Sequence, residues 1–154
     1  MIHPSYELLR QLYPRKDTRE VLFSDIGWSD LTNNKAYWDT CAIRMSIGLL
    51  RAGVQLPGAR MQAKAGTIKG QWIEPGQAKL SAILTHIWGR PEVYTSEQLA
   101  NGAIGSRHGV VSFFRIEGGN GGHIDLIQMG EHGFLDCARS CFFSALTIWF
   151  WPLT

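Results

Sequence analysis

Three residue types with acyl-transfer chemistry stand at suggestive places in the chain: a thiol at Cys41, an imidazole at His123 and a carboxylate at Asp125. A thiol that attacks a carbonyl needs an imidazole to take its proton, and a polar group to hold that imidazole in the right tautomer. Cys41 falls in Asp39-Thr40-Cys41-Ala42-Ile43-Arg44-Met45-Ser46, where a loop gives way to a helical pattern. Asp39 or Thr40 can cap the new helix, and a cysteine in its first turn meets the positive end of the helix dipole, which favours thiolate. Of five histidines, His3 is terminal, His86 lies on the polar side of a helix, and His108 and His132 fall in turns. His123 alone opens a β-rich run, directly after the glycine-rich stretch Gly118–Gly122, which leaves room beside it for a substrate. That stretch reads as a mobile connector bordering the cleft.

The third role has two candidates. Asp125 lies two residues past His123, on the same side of a strand and roughly 6–7 Å along it. Asp136 would come from a neighbouring segment. Asp125 is favoured because its distance from His123 does not depend on strand register, and Asp136 stands as the alternate. The chain has three cysteines, and the parsimonious partition pairs Cys137 with Cys141 and keeps Cys41 as a free thiol.

These residues need elements to hold them. Ser5 caps a short helix over residues 5–13 that Pro14 ends, and residues 17–38 read as a loop with one short turn. The Cys41 helix runs to about Ala52, with Ala42, Met45 and Leu49 on one face and Gly53 as its stop. Residues 54–76, punctuated by proline and glycine, read as a long irregular insertion with one extended piece at Gln71–Ile73. A second helix carries Leu80, Ile83, Leu84, Ile87 and Trp88, and a short helical turn follows at 96–100. The period then changes to strands at 109–116, 123–129 and 144–151. Helices first and strands last make an α+β fold, N-terminal helices packed on a C-terminal antiparallel sheet, in one domain over 1–154.

Composition narrows the function. The chain has 154 residues, 45% of them hydrophobic and 18% charged, an ordinary globular balance. A net charge of +2, with Arg15, Lys16 and Arg19 offset by Asp17 and Glu20, gives no basic stripe and no case for nucleic acid. The N-terminus lacks the apolar core of a secretory signal, and the most apolar stretch, 142–153, is too short to span a bilayer. No cofactor is called for.

With these elements in place the chain resembles a family. TCAIRMSIGLL, GVVSFFRIEGGNGGHIDLI, the CARSC loop and SALTIWFWPL look like the type VI secretion amidase effectors, the fourth amidase family in particular, within the papain-like NlpC/P60 group. The resemblance implies a cysteine peptidase that hydrolyses peptidoglycan stem peptides, typically between D-Glu and meso-diaminopimelate. It also implies delivery by the type VI apparatus into a recipient's periplasm, and a cognate immunity protein. Cys41 matches the family nucleophile and His123 the general base. Relatives place an aspartate inside the C-x3-C loop, whereas Cys137-Ala138-Arg139-Ser140-Cys141 holds no carboxylate, so Asp125 and Asp136 both remain in play. Two other classes compete. One is a non-enzymatic wall-binding module using the six tryptophans as stacking faces; the other is a metal site of Cys41, His123, Cys137 and Cys141.

Overall fold

The structure, a computed structural model, describes residues 2–116, 121–130, 133–134 and 145–154. Five strands form an antiparallel sheet: β3 (Glu92–Tyr94), β4 (His108–Phe114), β5 (His123–Gly130), β6 (Gly133–Phe134) and β7 (Thr147–Pro152), in the order β3-β7-β4-β5-β6. Both faces are covered. Val110, Ile124, Leu126 and Trp151 pack into the helical core, while Val111, Phe113, Ile127, Ile148 and Phe150 meet Ala100 and Ile104 of helix α5 (Glu97–Ile104) on the other side. A sheet buried on two faces explains why β4 shows no alternation of buried and exposed residues.

Helix α3 (Cys41–Arg51) is the centre of the helical layer, with nine of its eleven residues buried. Helix α1 (Tyr6–Leu12), capped by Ser5, packs on it, and Gly48 makes the approach possible: a Cβ there would stand 3.3 Å from the Tyr13 Cα. That contact brings the chain after α1 to the head of α3. Helix α4 (Gln77–Trp88) completes the layer and ends at Gly89, whose φ of 88° is open to glycine at no steric cost.

Two segments are more ordered than their sequences suggest. Residues 17–38 contain helix α2 (Arg19–Asp25), capped by Thr18, and 3-10 turns at Ser29–Leu31 and Lys35–Tyr37. Leu22, Phe23 and Ile26 bury against the core, but seven residues are too few for the helical period to stand out. The Arg19 guanidinium holds the turns in place, donating to the carbonyls of Leu31, Thr32, Tyr37 and Trp38 at 2.5 to 3.4 Å. The insertion at 54–76 holds a small hairpin, β1 (Met61–Gln62) paired with β2 (Trp72–Ile73). It docks through Ala63, Ile68 and Ile73, and through the Trp28 Nε1–H donating to the Gln62 carbonyl.

The hairpin is also tied by Glu74, fully buried, whose carboxylate accepts from the Arg60 Nε and Nη2 and from the Gly76 N–H. Removing one partner of a buried pair strands a charge, although Arg60 is half exposed and water can replace part of it. Arg60→Met is therefore expected to destabilise the protein by about 2 kcal/mol, read as a lower urea midpoint at unchanged slope.

Candidate active site

Cys41 opens α3, and of the two capping candidates it is Asp39 that reaches a first-turn N–H. Thr40 makes no side-chain cap; the Asp39 Oδ1 accepts from the Cys41 N–H at 3.0 Å, and the Thr40 hydroxyl accepts from the Arg44 Nε. The thiol is buried, with the backbone N–H groups of Ile124 and Ala42 as its hydrogen-bonding neighbours. Ile124 directly follows His123, so the helix start meets β5 at the imidazole. Cys41 and His123 line one cleft of about 400 Å³, together with Tyr13, Trp38, Asp39, Thr40, Arg44 and Gly122.

His123 and Asp125 share a side of β5, as their spacing predicts. The His123 Nε2 lies 3.0 Å from the Asp125 Oδ2, with the imidazole 14% exposed and the carboxylate fully buried. The other carboxylate oxygen, Oδ1, accepts from the Arg15 Nη2 and from the Leu126 backbone N–H, both at 2.8 Å. With Nε2 on the carboxylate, Nδ1 is the ring nitrogen that can exchange a proton with the thiol. Behind the ring, Phe113 stacks on His123 with centroids 6.3 Å apart. Gly122 has a steric reason to precede it, since a Cβ there would collide with the Gln77 amide, which is held by Ser112 and the Phe113 carbonyl.

The helix start does not produce a resting thiolate. Burial pushes the Cys41 thiol up strongly, and the charge of Asp39 pushes it further in the same direction, against the backbone N–H groups that pull it down. Burial also raises the neighbouring Tyr13 phenol, so it stays protonated in the cleft. A neutral thiol can attack a carbonyl only with a base beside it, because the proton must leave as the sulfur bonds to carbon. Asp39→Asn keeps the acceptor for the Cys41 N–H while removing the charge. It is expected to raise the rate of Cys41 alkylation by iodoacetamide severalfold at pH 8, followed by site-resolved mass spectrometry.

Asp136, Cys137 and Cys141 lie outside the described residues, as do Gly118, Gly119, Asn120 and His132. Gly122, the last residue of the glycine-rich stretch, does line the cleft. Among the described residues Cys41 is a free cysteine and no group of three His, Cys, Asp or Glu side chains could hold a metal ion. No helix among them is long and apolar enough to cross a membrane. Of the six tryptophans, Trp28 and Trp151 are buried and Trp88 and Trp149 partly buried; Trp38 and Trp72 are exposed. Sequence reasoning missed Arg15, which looked like one member of a balanced surface run.

The family model for Type VI secretion system amidase effector protein 4, Tae4, matches residues 37–151. Solved structures share the fold. The type VI effector Tae4 from Enterobacter cloacae is 18% identical with a TM-score of 0.77, covering all of both chains. The Tae4–Tai4 effector–immunity complex from Salmonella Typhimurium contains a chain 16% identical with a TM-score of 0.75, covering 99% of this chain and 100% of that one. The effector Tae4 from Salmonella typhimurium, in complex with the immunity protein Tai4 from Enterobacter cloacae, gives 15% and 0.76, covering 98% and 99%. No curated protein matches the chain. With three quarters of its length inside that model, the chain belongs to the Tae4 family of type VI secretion amidase effectors.

Proposed function

We propose that the protein is a cysteine amidase of papain-like NlpC/P60 type that hydrolyses peptidoglycan stem peptides at the D-Glu–meso-diaminopimelate bond. The observation that carries this reading is the cleft shared by Cys41 and His123, with the His123 Nε2 on the buried Asp125. In the first half-reaction the Cys41 proton passes to the His123 Nδ1 as Sγ bonds to the scissile carbonyl carbon. The tetrahedral intermediate then collapses to a thioester, and the amine leaves with the proton from the imidazolium. In the second, His123 takes a proton from water as its oxygen attacks the thioester, and the thiolate leaves and regains that proton, releasing a carboxylic acid that loses its remaining proton to solvent. Asp125 holds the tautomer and stabilises the imidazolium in both halves.

The family places secretion with the type VI apparatus. We place the target in the wall of a recipient bacterium, reached from its periplasm, with the protein acting as an antibacterial toxin. The Tai4 complexes of the structural neighbours support a cognate immunity protein for this chain as well. In that oxidising compartment Cys137 and Cys141 pair, leaving one alkylatable thiol rather than three in non-reduced, denatured protein.

Mass spectrometry of muropeptides after digestion of purified sacculi tests the reaction. A new carboxyl terminus at D-Glu is the expected product. Cleavage elsewhere in the stem would move the substrate assignment, and binding to sacculi with no release would favour the wall-binding module, with exposed Trp38 and Trp72 as its stacking faces.

A further inference from the structure

We propose that Arg15 is a positioning residue of this site, neutralising the buried Asp125 carboxylate and turning it so that Oδ2 faces His123. The inference rests on the reading of Asp125 as the group that orients His123. A carboxylate with no exposure persists only when it is paired and hydrogen-bonded. In the resting enzyme His123 cannot be that partner, because an imidazole about to accept a proton is neutral. Arg15 supplies the charge from the opposite side, its Nη2 2.8 Å from Oδ1. Together with the Leu126 N–H it claims that oxygen and presents the other to the ring.

The chain is built to put the guanidinium there. Arg15 lies over the Tyr13 ring, 5.0 Å from its centroid. On either side of Arg15, the carbonyls of Pro14 and Asp17 both accept from the Arg44 Nη1, at 2.7 and 2.8 Å. Arg44 is one turn along α3 from Cys41. The helix that carries the thiol therefore also fixes the backbone that carries Arg15. This segment precedes the span of residues 37–151 that matches the family model. Among the described residues, the charged and titratable groups at Asp125 are His123 on its own strand and Arg15 and Tyr13 after α1, with Cys41 and Arg44 beside Tyr13 and Asp39 beside Cys41.

The test uses Arg15→Met, Arg15→Lys and Asp125→Asn in the full chain, with kcat on a soluble muropeptide measured against pH and thermal melting measured alongside. Without Arg15 the carboxylate is harder to ionise, and the imidazolium no longer faces a second cation across it. Both changes demand a higher pH to reach ionised Asp125 and neutral His123. The acid limb of kcat is therefore expected to move up by about one unit or more in Arg15→Met, with kcat near pH 6.5 down about tenfold. Arg15→Lys is expected to bring the limb back towards wild type, because a single nitrogen contacts Asp125 while Nη1 has no acceptor among the described residues. Adding Arg15→Met to Asp125→Asn is expected to cost little more, as for members of one network. An Arg15→Met protein with an unmoved acid limb, beside an inactive Asp125→Asn, overturns the inference and leaves the Asp125 reading standing. So does a lysine variant displaced as far as the methionine one. Full activity in Asp125→Asn would instead remove the reading beneath it.

Discussion

Asp125→Asn is expected to lower kcat on a muropeptide by about 10³- to 10⁴-fold, the scale on which a wrong imidazole tautomer disables a nucleophile–histidine pair. An amide elsewhere could turn its oxygen to the ring and preserve function. Here it cannot, because the Arg15 Nη2 and the Leu126 N–H both donate to Oδ1 and would reject an NH₂ group in its place. The amide nitrogen is then forced to face the His123 Nε2, which must become an acceptor. The ring proton moves to Nδ1, the nitrogen needed to receive the thiol proton. The change is nearly isosteric, so the fold should survive, with a lower melting temperature because Arg15 loses its counter-charge, while single-turnover acylation collapses. Asp136→Asn made in parallel completes the experiment: full activity in Asp125→Asn with loss in Asp136→Asn would transfer the orienting role to the segment near the cysteine loop.

The largest loss is expected from Cys41→Ala, about 10⁶-fold in kcat, comparable to removing a nucleophile from a triad. His123 and Asp125 would then have nothing to activate in the cleft, and water would have to attack without a covalent intermediate. Cys41 is small and already buried at the helix start, so alanine fills most of its space and stability should change by less than about 1 kcal/mol. The variant should still bind muropeptides, which makes it the natural form for trapping a substrate complex. Release of cleaved stems at a rate near wild type would end the assignment of Cys41 as nucleophile.

Much of this arrangement was legible because it depends on local spacing. The position of Cys41 follows from a loop giving way to an amphipathic period, and the relation of His123 to Asp125 follows from the two-residue repeat of a strand. Neither requires knowledge of what packs against what. The protonation of Cys41 was not legible for the complementary reason. The dipole of α3 can be read from the sequence, but desolvation and the reach of Asp39 to the sulfur come from packing, and they prevail. Arg15 was hidden in the same way: among Lys16, Asp17, Arg19 and Glu20 it looks like part of a solvated charge run, and its partner lies 110 residues downstream. Helix α5 ran longer than expected, to Ile104, because Ala100 and Ile104 bury against the second face of the sheet, which the sequence had left uncovered. Of the β1–β2 hairpin only β2 was foreseen, as the extended piece at Gln71–Ile73; its partner β1 was hidden because a two-residue strand shows no alternation and the surrounding glycines dominate the pattern.

The clamp formed by Arg19 has a consequence for how the stretch before Cys41 can evolve. Its guanidinium grips that stretch through main-chain oxygens of Leu31, Thr32, Tyr37 and Trp38, groups that every amino acid possesses. Recognition of this kind is blind to side-chain identity, so exposed Ser29, Asp30, Asn33, Lys35 and Ala36 are free to drift while the loop keeps its path to Asp39. The burden of invariance shifts to position 19, where a lysine would offer one compact donor group in place of a planar fork. Sequence diversity among close relatives should therefore concentrate at these exposed positions and be nearly absent at Arg19, leaving the stretch that leads to Asp39 to vary in chemistry around a fixed backbone.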